Sequence, residues 1–256
     1  MSDPKKISST RGLFIQVDGI DGAGKSTLLH AALDWVSARN FVVFDVIDWS
    51  KTHHGLPRLE DLKDATVLLT AEPTHAWIGR AIRDEIIAIG TSYGSRIAAQ
   101  AFALDRFVQY TRLIRPFLEE HPDRIVIQDR GLISSLAYQP LQSEIEKDAD
   151  RVTIPWLLSL DGNRMALDTP PDAFVFLDVS ASVAEQRLAG RTEKLDRVRF
   201  ENPLFQTALA DRYHLPEVTD PFTEQGTQLI VIDGHQNKAG VAHAMVAVLE
   251  SLAGSR

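Results

Sequence analysis

The sequence predicts an α/β protein in three layers, a parallel sheet of about five strands with helices on both faces. Three observations carry that expectation. Short apolar runs of buried type alternate along the chain with longer stretches of helical spacing. The first such run passes directly into a glycine-rich turn and then into a helical pattern. The chain has 256 residues, of which 44% are apolar and 24% charged, enough for one sizeable core and ordinary for a globular protein.

Residues 1–11, MSDPKKISSTR, lack an apolar segment and read as a flexible tail ahead of a single domain at 12–256. Leu13, Phe14, Ile15 and Val17 mark the first strand. Helical spacing follows from Lys25 to Arg39, with Leu28, Ala32 and Val36 on one face. Phe41–Ile47 reads as the next strand, and residues 48–64 as an inserted loop. A strand over 65–70, a helix over 75–89 and a long helix over 94–119, bent near Pro116, come next. The run RIVIQ at 124–128 is a central strand, followed by a helix over 131–138 and an exposed polar insertion at 140–152. A helix over 154–166, a strand over 173–179 and a short helix over 182–190 follow. A charged segment, a helix over 203–215, a strand over 229–233 and a closing helix over 239–252 complete the chain.

The turn after the first strand is Gly19-x-x-x-x-Gly24-Lys25-Ser26, a phosphate-cradling loop in its proper strand–turn–helix setting. Glycines Gly19, Gly22 and Gly24, with small Ala23, let backbone N–H groups face a polyphosphate that side chains would keep away. The helix N-terminus at Ser26 and Thr27 adds unpaired donors and partial positive charge. Lys25 suits the outer phosphates, and the Ser26 hydroxyl suits the magnesium they carry. A nucleoside triphosphate is the expected ligand.

Further groups narrow the chemistry. Phe102 and Arg106 lie four residues apart on the long helix, where a ring can stack on a base and a guanidinium can donate to its carbonyls. Taken alone, Phe102 suits a core and Arg106 a surface. Asp129-Arg130 ends a buried strand; the aspartate can orient magnesium through water and the arginine can neutralise a phosphate, or the two can form a structural ion pair. Ser134, Ser135 and Tyr138 follow on the next helix. Arg187, Arg191, Lys194, Arg197 and Arg199 crowd five cations into thirteen residues of a protein with net charge −8. They read either as a solvated face or as a lid, about 188–200, whose cations arrive with the donor phosphates. His53–His54 lacks the further ligands that a metal site needs.

The acidic balance argues against a general nucleic-acid binder, and no apolar run is long enough to span a bilayer. With no cysteine, disulfides are excluded and the cytoplasm is the expected compartment.

Taken jointly, FIQVDGIDGAGKST, FALDR, QDRGLISSLAYQ and PDAFVFLDVSASVAEQRLAGR…LDR resemble, in order, motifs of the thymidylate kinases, nucleoside monophosphate kinases with a P-loop fold and a short Arg-rich lid. The resemblance implies transfer of the γ-phosphoryl group of Mg-ATP to a deoxynucleoside monophosphate, most simply dTMP, by a homodimer. It implies that Asp21 helps hold magnesium and acceptor, that Phe102 stacks on the base, and that Arg106 bonds a base carbonyl. It implies further that Arg130 contacts the acceptor phosphate, that Ser135 and Tyr138 complete the acceptor site, that Arg191 and Arg197 supply the catalytic lid arginine, and that Gly234 neighbours the adenine. The departures are Ala71, where the family has arginine before Glu72, two missing glycines after Pro73, and Gly131, where tyrosine or histidine is usual. Two rivals stand beside this reading. A deoxynucleoside kinase would use Glu72 as a base toward a 5′-hydroxyl. A non-catalytic P-loop protein would keep Lys25 and Ser26 without a base-stacking helix or a lid.

Overall fold

A computed structural model of the chain describes residues 11–88, 90–91, 93–190 and 203–254. Six parallel strands form one sheet: β1 (Leu13–Asp18), β2 (Val43–Asp45), β3 (Val67–Ala71), β4 (Ile125–Asp129), β5 (Ala173–Asp178) and β6 (Gln228–Asp233). Their spatial order is β2-β3-β4-β1-β5-β6. The central strands are buried except at Asp129 and Asp178, the last residues of β4 and β5, as expected when helices cover both faces of a parallel sheet. Val17 lies in register with Asp129 and Asp18 with Phe176. The turns that leave β1 and β4 therefore emerge side by side at the carboxyl edge, where open α/β sheets place their ligands.

The helices α1 (Lys25–Ser37), α2 (Val46–His53), α3 (Trp77–Ala81), α4 (Ser95–Gln109), α5 (Arg115–Glu120) and α6 (Leu132–Glu146) occupy the first part of the chain. The second part adds α7 (Ile154–Ser159), α8 (Asp161–Asp168), α9 (Ala181–Ala189), α10 (Pro203–Arg212), α11 (Pro216–Thr223) and α12 (Lys238–Gly254). Helix α1 packs on α12, while α4 packs on α6 and α8.

Several elements differ from the sequence expectation, each for a local reason. The strand expected over Phe41–Ile47 stops at Asp45, whose carboxylate accepts the Asp48 N–H at 3.0 Å and caps α2. β2 pairs only with β3, so one edge ladder competes with a capped helix and yields. The loop expected over 48–64 is instead mostly α2 and a 3₁₀ turn at Leu59–Leu62, anchored by buried Leu56 and Leu62. The exposed insertion expected at 140–152 is in its first half a continuation of α6. Gln139, Pro140, Leu141, Gln142 and Ser143 are all buried there. Polarity suggested a surface, but Gln139 and Gln142 line a cleft and Ser143 Oγ accepts the Val152 N–H at 2.9 Å, while 144–151 are mostly exposed as expected. The long helix stays continuous past Pro116 by opening into a π turn at Tyr110–Ile114. That turn removes the clash between the proline ring and the preceding carbonyls. The helix expected over 154–166 breaks at Leu160, whose extended backbone separates α7 from α8. Helix α11 was not anticipated from its pattern, which two prolines and two threonines disguise.

Gly162 sets the contact between α4 and α8. A Cβ at that position would overlap the carbonyl oxygen of Ala103. Gly162→Ala is therefore expected to destabilise the fold by about 3 kcal/mol, read as a lowered urea midpoint with an unchanged slope.

Candidate active site

The loop after β1 takes backbone conformations that only glycine holds without strain: φ is 82° at Gly22 and 106° at Gly24. A Cβ on Gly22 would also overlap the carbonyl oxygen of Ala184 on α9. Lys25 folds back over this loop and donates to the carbonyl oxygens of Gly19 at 2.9 Å and Ile20 at 3.0 Å. Burial pulls its pKa below the usual lysine value, assisted by the Arg130 charge and opposed by Asp21, Asp129 and Asp18. Ser26 and Thr27 open α1 and line the cleft. Arg187 donates to the carbonyl oxygens of Ala23 and Gly234, each at 2.7 Å, and so joins the loop to the turn after β6. Arg191 and Arg197 lie outside the described residues.

Beside the loop stands a network of two acids and one arginine. Arg130 has φ +64° and donates to Asp18 Oδ1 and Ser134 Oγ at 3.3 Å, and to Asp21 Oδ1. Its guanidinium also lies 5.3 Å from the Tyr138 ring centroid. The Tyr138 hydroxyl donates to Asp21 Oδ2 at 3.2 Å. From the distant helix α10 and the turn after it, Gln206 donates to Asp21 Oδ2 at 3.4 Å and Tyr213 to Asp18 Oδ1 at 2.9 Å. Burial raises the pKa of Asp18 despite its cationic neighbours. Burial also pushes Asp21 upward, but Arg130 and Lys25, with Tyr138 and Gln206, outweigh it and hold the pKa below the usual 3.8. Asp129 lines the same cleft, and its Oδ1 is buried with no hydrogen-bond partner among the described residues.

A second buried network lies on the acceptor side. Arg106 is 1% exposed and grips the Glu72 carboxylate with its Nε, at 2.9 Å, and its Nη2. It also donates to Asn163 Oδ1 on α8 and to Ser135 Oγ at 3.0 Å. Gln128 donates to Glu72 Oε1 at 3.0 Å. Burial raises the Glu72 pKa, against the pull of Arg106. Phe102, one turn before Arg106, lines the cleft together with Ser135 and Tyr138. Gln139, on the next turn of α6, is buried against the cleft, and its Oε1 has no hydrogen-bond partner among the described residues. Near Ala71, Arg83 lines the cleft and donates to the carbonyl oxygens of Pro73 and Thr74. Arg80 instead pairs with Asp84 and His54 outside it. His53 stacks on Trp49.

The structure thus gathers Gly22, Ala23, Gly24, Lys25, Ser26, Thr27, Asp21, Glu72, Phe102, Asp129, Arg130, Ser135 and Tyr138 around one cleft of about 1450 Å³. It sets Arg106 behind the wall, held by Glu72 and touching Ser135. Sequence reasoning missed Asp18, Asn163, Gln206 and Tyr213. Asp18 had a signal, a carboxylate at the end of a buried strand. The other three had none, because only long-range packing brings them here.

The folded pKa of Asp21 lies below its unfolded value, so its ion pair contributes stability above that value and loses it as pH falls through the lower one. The stability gap between wild type and Asp21→Asn is expected to shrink as pH drops below about 4, measured by urea unfolding from pH 7 to pH 3.

The thymidylate kinase family profile matches residues 51–243. The chain is 31% identical over 192 residues to a probable thymidylate kinase of Thermococcus gammatolerans, covering 72% of this chain and 74% of that relative. It is 28% identical to a probable thymidylate kinase of Thermococcus kodakarensis, across 94% of this chain and 99% of the relative. A thymidylate kinase of Halothermothrix orenii is 26% identical over 206 residues, 80% of this chain and 83% of its own. With a family match over most of its length and a relative 31% identical over 72% of it, the chain belongs to the thymidylate kinase family.

Proposed function

We propose that this chain transfers the γ-phosphoryl group of ATP to dTMP, giving dTDP and ADP. The observation that carries the reading is a single cleft running from the P-loop to Phe102, Ser135 and Gln139. Lys25 leaves the loop carbonyls for the donor phosphates. Arg130 exchanges part of its carboxylate contacts for the acceptor's phosphate. Phe102 stacks on the base. The Ser135 hydroxyl, which accepts from Arg106, donates to a base carbonyl, and Gln139 Oε1, unpaired among the described residues, accepts the imino N–H of thymine. Tyr138 packs beside the sugar. Arg191 and Arg197 meet the charge that develops on the transferred group, and Gly234 flanks the adenine.

A monophosphate oxygen is already anionic. It attacks the γ-phosphorus as the bond to the ADP oxygen breaks, and no general base is required. This distinguishes the reading from a nucleoside kinase with Glu72 as base. Both Glu72 oxygens accept hydrogen bonds from Arg106, and Oε1 accepts another from Gln128, so the carboxylate would have to give up one of these bonds to take a proton from a hydroxyl.

Magnesium fits the residues present. Ser26 offers a hydroxyl at the start of α1, and Asp129 Oδ1 is a buried acceptor with no partner among the described residues. These two, directly or through water, would hold Mg²⁺ against the ATP phosphates, where it would neutralise charge on the transferring group.

We also propose a homodimer acting in the cytoplasm. Ile97 and Leu104, half exposed and seven residues apart on α4, support a face for a second copy. Among the described residues no helix is long and apolar enough to cross a membrane. Sedimentation tests the dimer: wild type is expected at twice the monomer mass, and Leu104→Glu at the monomer mass.

The activity is tested by ADP release with Mg-ATP and dTMP, dUMP, dCMP, dGMP or thymidine. Fastest turnover on dTMP is expected, with Lys25→Met slower by about 10³-fold and EDTA abolishing the rate until Mg²⁺ is restored. Turnover confined to thymidine would transfer the protein to the nucleoside kinases. None with any acceptor would leave a nucleotide-binding protein.

A further inference from the structure

We propose that Gln16 is a positioning residue for Arg130. Its carboxamide, seated against the α-carbon of Gly131, fixes the turn that aims the Arg130 guanidinium at the cleft. The inference rests on the reading that Arg130 holds the acceptor phosphate.

Gln16 on β1 is in register with Gln128 on β4, and Gln128 with Thr70 on β3. The three side chains form a polar row across adjacent strands, and all are almost fully buried. Parallel sheets covered on both faces ordinarily carry valine, isoleucine or leucine at such positions. Gln16 Nε2 donates to the Tyr110 hydroxyl at 3.2 Å, while its Oε1 has no hydrogen-bond partner among the described residues. A buried acceptor left unmatched weakens a fold, so core packing alone gives this glutamine no rationale.

What it touches supplies one. A Cβ on Gly131 would lie 2.5 Å from Gln16 Nε2 and 2.7 Å from its Cδ and Oε1. Gly131 has φ −179°, extended backbone that any residue adopts, so the demand for glycine comes from the carboxamide and not from the dihedral. One residue earlier, Arg130 holds φ +64°, a conformation unusual for a side chain of its size. Its N–H donates to the Val17 carbonyl and its own carbonyl accepts from Gln128 Nε2, both at 2.9 Å. The arginine's backbone is thus clamped on both sides, and Gln16 sets the path of the chain that leaves it. A side chain at position 131 and a full-length side chain at position 16 compete for the same room.

The test is steady-state kinetics with dTMP and ATP on Arg130→Lys, Gln16→Ala, Gly131→Ala and the Gln16→Ala/Gly131→Ala pair, with thermal unfolding of each. Arg130→Lys examines the underlying reading alone: a raised acceptor KM keeps it, and an unchanged one removes it together with the inference. Given that rise, Gln16→Ala and Gly131→Ala are each expected to raise the acceptor KM about tenfold while the ATP KM stays within about twofold, and an acceptor KM in Gln16→Ala equal to that of wild type overturns the proposal. In the pair the added penalty of Gly131→Ala disappears, leaving the acceptor KM within about twofold of Gln16→Ala, because the slot has been emptied. Equal penalties for Gly131→Ala in both backgrounds, or none in either, overturn the proposal. If Gly131→Ala alone does not fold, the pair decides. A folded pair matching Gln16→Ala in acceptor KM supports the proposal, and one that is unfolded or about tenfold worse overturns it.

Discussion

Arg130 sits where three parts of the molecule meet, and the site depends on how it is held. Its backbone leaves β4 in a left-handed conformation, and its guanidinium contacts Asp18 at the end of β1 and Asp21 in the phosphate loop. Tyr138 from α6 covers it. The parallel pairing of β1 with β4 makes this possible, because Val17 and Asp129 are register partners and the two turns leave the sheet together. A cation shared by two carboxylates in a largely desolvated place keeps both acids close to the loop. It also keeps a positive charge where a phosphate can compete for it.

The Glu72–Arg106 pair does a different task. Two buried charges lose about several kcal/mol each on leaving water, and an apolar substitute of similar shape is often no less stable. Their value lies in rigidity. Asn163, Ser135 and Gln128 complete the hydrogen bonding, so the wall behind the base has one arrangement. On the proposed reading, recognition falls to neutral groups, Ser135, which Arg106 holds directly, and Gln139, which reaches the pair only through Ser135. Preorganised polar groups of this kind discriminate between bases because the wrong partner leaves one of them unpaired.

Lys25 is parked on the loop carbonyls it would leave on binding a triphosphate, and Arg187 bridges the loop to the turn after β6. Both contacts are made to backbone oxygens. The loop's shape is therefore maintained by two cations held on its own and neighbouring carbonyl oxygens.

The phosphate loop, the alternation of strands and helices and the positions of most strands were legible in the sequence. Each depends on local chemistry: glycine conformations, apolar periodicity, and a lysine and serine at fixed spacing. Phe102, Asp129, Arg130, Ser135 and Tyr138 were legible as candidates for the same reason. The sequence misjudged 140–143, because buried polar residues look like surface ones until their neighbours are known, whereas 144–151 are mostly exposed as expected. It also could not tell that Arg106 stands behind the cleft wall, since burial depends on Glu72, Asn163 and Ser135 arriving from other elements. Gln206, Tyr213 and Gln16 acquire their positions only when distant segments pack. Local sequence determined most of the elements that form and which loop has the shape of a phosphate cradle; the tertiary structure decided which polar groups are buried together, because desolvation and hydrogen-bond pairing are set by neighbours far apart along the chain.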